Sequence, residues 1–242
     1  MLNRSIKIIG YILLSFGAII ATIFLFFFVY YTWQLKYGST EKLQTITKSL
    51  EGSFTQINKT DTDAPTSRSD WKSFIHPENP SLGESNAPVT IVMFIDFECP
   101  YCQQSFPIFN SVIDTFGSAV HLVFKQFPLT SIHPSARSVA EASMCANEQG
   151  GFWKFYNATF EGSKLDESSL YAYASASGIN TAIFDTCFKE RKYAKTIDHD
   201  LTDGVTLGVR GTPTYIINGT FVEGVLTLDE WKNIILSQLN QK

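Results

Sequence analysis

Cysteine occurs four times in the 242-residue chain, and two of the four stand three apart as Cys99-Pro100-Tyr101-Cys102. A pair at that spacing can exchange a disulfide with another protein, or it can supply half of a tetrahedral zinc site. The zinc reading asks for a second close pair, and the remaining cysteines, Cys145 and Cys187, stand singly. Exchange asks for an ionised thiol that attacks and a second thiol within reach that resolves the mixed disulfide. The flanking residues decide between the two readings.

Thr90 to Phe97 (TIVMFIDF) is mostly apolar and rich in β-formers, which predicts a buried strand. Pro100 suits the first turn of a helix, and Phe106, Ile108, Phe109, Val112, Ile113 and Phe116 recur at helical spacing up to Gly117. Cys99 is therefore expected at a helix N-terminus, where unpaired N–H groups and the macrodipole favour a thiolate. Cys102, one turn along, is the resolving thiol. The dipole supplies typically 0.3 to 1 kcal/mol and about 2 at best, against about 1.4 for each pKa unit. Pro100 and Tyr101 bring no cation, so a moderate rather than a maximal oxidising potential is expected.

The elements that must hold this junction follow from the same periodicities. Val120 to Leu129 reads as a second strand, so strand, helix and strand form a crossover unit with a parallel pair. Helical patterns then run from Ala136 to Ala146, Phe152 to Phe160, Leu170 to Ser177 and Phe184 to Lys195, a helical insertion at about 131–205. Thr214 to Asn218 and Phe221 to Leu226 read as a hairpin, followed by an amphipathic helix from Leu228 to Leu239.

Ahead of this domain, Ile8 to Tyr31 runs without a charge, roughly the 20 residues a helix needs to span a bilayer. Arg4 and Lys7 precede it, and Tyr30, Tyr31 and Trp33 follow, which orients the N-terminus to the cytoplasm and the rest outside. The alternative, a cleaved signal peptide, asks for a shorter apolar run ending in small residues. The expected plan is a single-pass anchor (1–33, spanning about 8–31), a polar stalk (34–80) and an extracytoplasmic domain (81–242). In that compartment Cys145 and Cys187 are expected to form a structural disulfide. The alternative is two buried thiols acting as small apolar residues.

Three stretches together resemble the DsbA-like branch of the thioredoxin superfamily, in the form tethered to bacterial membranes: Leu82 to Ile91 (LGESNAPVTI), Asp96 to Cys102 (DFECPYC) and Gly208 to Thr214 (GVRGTPT). The resemblance covers roughly Ser81 to the C-terminus and implies an α/β thioredoxin-like fold with an inserted helical domain. It implies a cis peptide bond before Pro213, which lies against the active cysteines, with Thr212 offering backbone groups to an extended substrate. It also implies oxidation of reduced or unfolded exported proteins, a membrane thiol oxidase as reoxidising partner, and no cofactor beyond the Cys99–Cys102 disulfide.

The sequence departs from the family where a Glu commonly stands six residues before the first cysteine, since that position is Met93. Proton transfer to the resolving thiol would then fall to water or to Asp96 or Glu98, unless both are ordinary strand-end carboxylates.

Nineteen basic and twenty-three acidic residues, with no basic run, speak against a nucleic-acid partner. The same site could serve a reductase or isomerase, because direction depends on potential and partner. A membrane-tethered Cu(I)-binding module would be expected to carry more methionine than Met1, Met93 and Met144. His76, His121, His133 and His199 share no ligand spacing, so no metal site is expected. Phe152, Trp153, Phe155, Tyr156 and Phe160 are expected to fill a core rather than line a groove.

Overall fold

A computed structural model describes residues 22–30, 32, 70–162 and 164–240. The chain divides into two units, 1–62 and 63–242. In the first, residues 22–30 are helical with exposed side chains, and the rest of the expected spanning segment and residues 34–69 of the expected stalk lie outside the described residues. Among the described residues no helix is long and apolar enough to cross a membrane.

The second unit is built on one sheet of strands β1 (Ser81–Leu82), β2 (Val89–Ile95), β3 (Val120–Gln126), β4 (Thr214–Ile217) and β5 (Thr220–Glu223), in the order β1-β3-β2-β4-β5. β2 and β3 are parallel, in a register that runs from Val89 opposite Val120 to Ile95 opposite Gln126, and the other pairings are antiparallel. Every residue of β2 is buried, as the unbroken apolar run requires of a central strand covered on both faces.

Alternation sorts the strand residues between two cores. Ile91, Met93, Ile95, Leu122, Phe124, Tyr215 and Ile217 pack with α1 (Pro100–Phe116), α2 (Ala136–Asn147), α3 (Phe152–Glu161) and α7 (Leu228–Leu239). Val92, Phe94, Val123 and Ile216 pack on the opposite face with Trp71, Phe127, Leu207 and Val209. α4 (Glu167–Ala176) and α5 (Thr181–Lys189) complete the helical insertion, and α6 (Ala194–Leu207) follows. Phe152, Phe155, Tyr156 and Phe160 are buried in the first core, as expected of them. Partly buried beside them, Trp153 donates its indole N–H to the Ser81 carbonyl at 2.9 Å.

Two expected boundaries shift. The folded unit begins before residue 81: Trp71 is buried in the second core, and Asn79, also buried, donates to Asp200 at 2.9 Å. α6, most of which falls in the expected insertion, lies against the sheet instead. Its Asp200 and Asp203 reach Lys125 of β3 at 2.7 and 2.6 Å, with Lys125 fully buried. That network joins the entering segment, β3 and α6, and removing one member would strand a buried charge.

Close packing of α6 on the sheet depends on Gly204. A Cβ built there would lie 2.5 Å from Phe127 and 3.1 Å from Phe94. Gly204→Ala is therefore expected to destabilise the domain by about 1–3 kcal/mol through overpacking, which outweighs the gain of up to about 1 kcal/mol in helix propensity. Urea denaturation of the variant beside the wild type measures the sign.

Candidate active site

Cys99 is the N-cap of α1, with extended backbone (φ −69°, ψ 124°), and Pro100 opens the helix. The chain thus leaves β2, turns at Cys99 and places Cys102 one turn along, with both sulfurs buried and free as thiols. The Thr212–Pro213 peptide bond is cis, and the Thr212 carbonyl accepts the Cys99 S–H at 3.3 Å. The expected cis bond before Pro213 is present, and Thr212 reaches Cys99 through its carbonyl. A groove of about 360 Å³ runs past the cis bond, lined by Arg210, Gly211, Thr212, Pro213, Thr214, Glu223 and Gly224.

The two thiols differ in acidity for identifiable reasons. Cys99 is lowered from 9.0 to about 5, first by a hydrogen bond from the Cys102 thiol. Burial opposes this, and the Thr212 side chain and the Cys102 and Tyr101 N–H groups add to it. The Thr212 hydroxyl is buried and has no hydrogen-bond partner. A macrodipole worth at most about 2 kcal/mol accounts for less than half of such a change, which leaves the directed hydrogen bonds as the main cause. Cys102 moves the other way, well above its ordinary value, because it is buried and because it faces the Cys99 sulfur.

A pH profile follows. Alkylation of Cys99 in the reduced protein is expected to be half-maximal near pH 5 rather than near 9. A thiol whose folded pKa is depressed contributes stability that is complete above its unfolded pKa, about 8.5, and is lost as pH falls through about 5. The reduced form should therefore gain stability relative to the oxidised form as pH rises across that window. Melting both forms across it gives a Tm difference, and a flat difference would contradict the assignment.

The carboxylates next to the cysteines bond to groups of the active-site turn and of the loop beside it. Buried Asp96 accepts the Glu98 N–H at 2.8 Å through Oδ1, and the Leu129 N–H at 2.8 Å and His133 Nδ1 at 2.7 Å through Oδ2. Glu98 accepts the Ser135 N–H at 2.6 Å, at the start of α2. Both carboxylates tie the active-site turn to loop 129–135.

At the position that departs from the family, Met93 pairs across the sheet with Tyr215, whose buried hydroxyl is 2.6 Å from that of Ser105 on α1. The nearby Cys102 and Cys99 charges and burial hold the Tyr215 hydroxyl well above its ordinary pKa, burial foremost. Spacing in the sequence could not have joined Ser105 to Tyr215, because their contact exists only across the packed sheet. Cys145 and Cys187 form a disulfide with Cα atoms 5.8 Å apart, joining α2 to α5.

Comparison with known proteins adds three findings. The thioredoxin family's sequence profile matches residues 76–236. Among curated proteins, the Na(+)/H(+) antiporter NhaA 3 of Salinispora tropica is 33% identical over 156 residues, 64% of this chain. The NhaA 1 of Salinispora arenicola is 34% identical over 138 residues, 57% of this chain. These matches take in only 24% and 21% of the antiporters, so the chain spans under a quarter of their length.

Among solved structures, a thioredoxin-like oxidoreductase from Silicibacter pomeroyi superposes with TM-score 0.63 at 23% identity, covering 72% of this chain and 99% of that one. BdbD from Bacillus subtilis gives 0.60 at 24% identity, covering 67% and 93%. The thiol-disulfide exchange protein α-DsbA2 from Wolbachia pipientis gives 0.63 at 20%, covering 70% and 92%. At these identities the superpositions establish the fold, with DsbA-like proteins as neighbours. With the profile spanning most of the folded unit, and Cys99, Cys102 and the cis proline gathered at the end of its central strand, the chain belongs to the thioredoxin family.

Proposed function

We propose that the protein is an extracytoplasmic thiol-disulfide oxidoreductase, held to the membrane by its N-terminal apolar segment, that donates the Cys99–Cys102 disulfide to exported proteins. The observation that carries this reading is the opposed acidity of the two thiols, Cys99 lowered to about 5 and Cys102 raised above 9.0.

At pH 7 Cys99 is about 99% thiolate, against roughly 3% for an ordinary thiol, a gain of about thirty-fold. The Brønsted dependence of nucleophilicity on pKa removes a factor of similar size, so attack by Cys99 is hardly accelerated. What the low pKa does favour is departure of Cys99 from a mixed disulfide and stability of the reduced form. Both favour giving the disulfide away.

The cycle balances as follows. A client thiolate attacks the Cys99 sulfur of the disulfide, and Cys102 leaves and takes up a proton. A second client thiolate attacks the client sulfur of the mixed disulfide, and Cys99 leaves as a thiolate. The client has lost two electrons, which pass from the dithiol to a membrane thiol oxidase. Exposed Tyr101, and exposed Ile132 on the loop held by Asp96, offer apolar surface to an unfolded client. The Cys145–Cys187 disulfide supports an oxidising compartment.

Equilibrating the full chain with glutathione tests the direction. A potential between roughly −120 and −200 mV, on the oxidising side of thioredoxin, supports donation. A value at or below about −270 mV would make the protein a reductase.

A further inference from the structure

Two of the four histidines, unrelated by spacing in the sequence, meet at one carboxylate. His76 lies ahead of β1, and His199 and Asp203 lie one turn apart on α6. His76 Nε2 is 2.8 Å from Asp203 Oδ2, His199 Nε2 is 3.8 Å from Asp203 Oδ1, and the two imidazole rings stack with centroids 4.4 Å apart. One donor atom from each residue lies within 4.8 Å of the other two. We propose that His76, His199 and Asp203 bind a divalent transition-metal ion, zinc in particular, and so fasten the entering segment of the domain to α6.

The donor set selects the ion. Two imidazoles and one carboxylate suit zinc and its neighbours in the first transition row, whereas calcium and magnesium ask for oxygen ligands throughout. Residues four apart on a helix project from one face, so α6 offers a chelating pair, and His76 closes the set from a separate segment. A tetrahedral ion about 2.0–2.1 Å from each donor needs donors roughly 3.3 Å apart. The observed 2.8 and 3.8 Å run to the two different oxygens of Asp203, and one donor atom of each residue lies within 4.8 Å of the others, so the set must draw in slightly around an ion. The remaining adjustment falls to His199, whose side chain is 51% exposed.

Charge and support point the same way. Asp200 and Asp203 face one ammonium, that of buried Lys125, so two carboxylates are set against a single cation. Lys125 and His76 both engage Oδ2 of Asp203, which leaves Oδ1 turned to His199. Lys125 thus fixes the carboxylate through Oδ2, as a supporting contact to a metal ligand does.

The test uses the full chain with Cys99 and Cys102 joined as the disulfide, so that neither thiol can take up metal, and zinc ion alone as the probe. Equilibrium dialysis is expected to retain one zinc per chain, and zinc at about a hundred times its Kd should raise Tm by roughly 5 °C or more. His199→Gln, at an exposed position where folding is not at stake, should weaken binding by at least about ten-fold. Adding His76→Ala should abolish both binding and the Tm rise. Cobalt(II) in place of zinc should give the visible bands of nitrogen and oxygen ligation, without thiolate charge transfer. No retained zinc in the wild type, or equal retention in the double variant, would overturn the proposal and leave the three residues as a hydrogen-bonded seam.

Discussion

Cys99→Ser is expected to reduce disulfide exchange to the uncatalysed rate, and Cys102→Ser to accumulate client proteins covalently bound to Cys99. The asymmetry follows from the site. Cys99 stands at the N-cap of α1 with its acidity raised, whereas Cys102 is buried and held as a thiol. Serine at 99 leaves only the Cys102 thiol, which burial holds protonated and so unable to attack. With serine at 102, a mixed disulfide forms when the Cys99 thiolate attacks a client disulfide and displaces one client thiolate, and it persists because no Cys102 thiol is present to attack Cys99 and free the client. The two substitutions at 102 also separate the causes of the Cys99 acidity. A hydrogen bond from the Cys102 side chain is the largest of them, and Cys102→Ser keeps a donor there while Cys102→Ala removes it. The alkylation midpoint of Cys99 should stay low in the first and climb in the second. Non-reducing gels of cells making each variant show the trapped species, and trapping on Cys102 in the Cys99→Ser protein would reverse the assignment.

Features set by neighbours in the chain were legible before the fold was known. An apolar β-rich run, two cysteines and a proline dictate a strand, a helix N-cap and a thiol at its mouth, and β2, Cys99 and α1 stand in that order. The hairpin β4–β5 and the amphipathic α7 follow from equally local signals.

What escaped depends on partners far away in sequence. Lys125 in a strand pattern reads as a solvent-facing residue, yet its ammonium is buried against Asp200 and Asp203 of a helix some 75 residues on. Periodicity states which face of α6 is apolar and says nothing of the surface it meets, hence its placement in the insertion. Trp71 sits in polar composition, and β1 has two residues, too few for any period to register. The His76–Asp203 contact and the Ser105–Tyr215 pair exist only once the sheet and α6 have packed.

The Cys145–Cys187 disulfide was anticipated from compartment rather than geometry, and its removal should separate stability from catalysis. The bond closes a 42-residue separation between α2 and α5, for which chain entropy gives about 4 kcal/mol of stabilisation. That is a large share of a typical 5 to 15 kcal/mol total, and for a domain of this size it corresponds to a fall in Tm of roughly 8–16 °C. Its sulfurs lie in the same core as Val139, Ala142, Phe155 and Phe184, so alanine at both positions also leaves unfilled volume and adds to the loss. The bond takes part in no contact with Cys99 or Cys102 described above, and exchange by the folded double variant should equal that of the wild type at a temperature where both are native. Thermal melts of the oxidised Cys145→Ala/Cys187→Ala protein beside the wild type, with exchange assayed at that temperature, measure both quantities. An unchanged Tm would show that the bond does not hold the insertion together. Lost exchange in a still-folded variant would mean that electrons pass through the insertion.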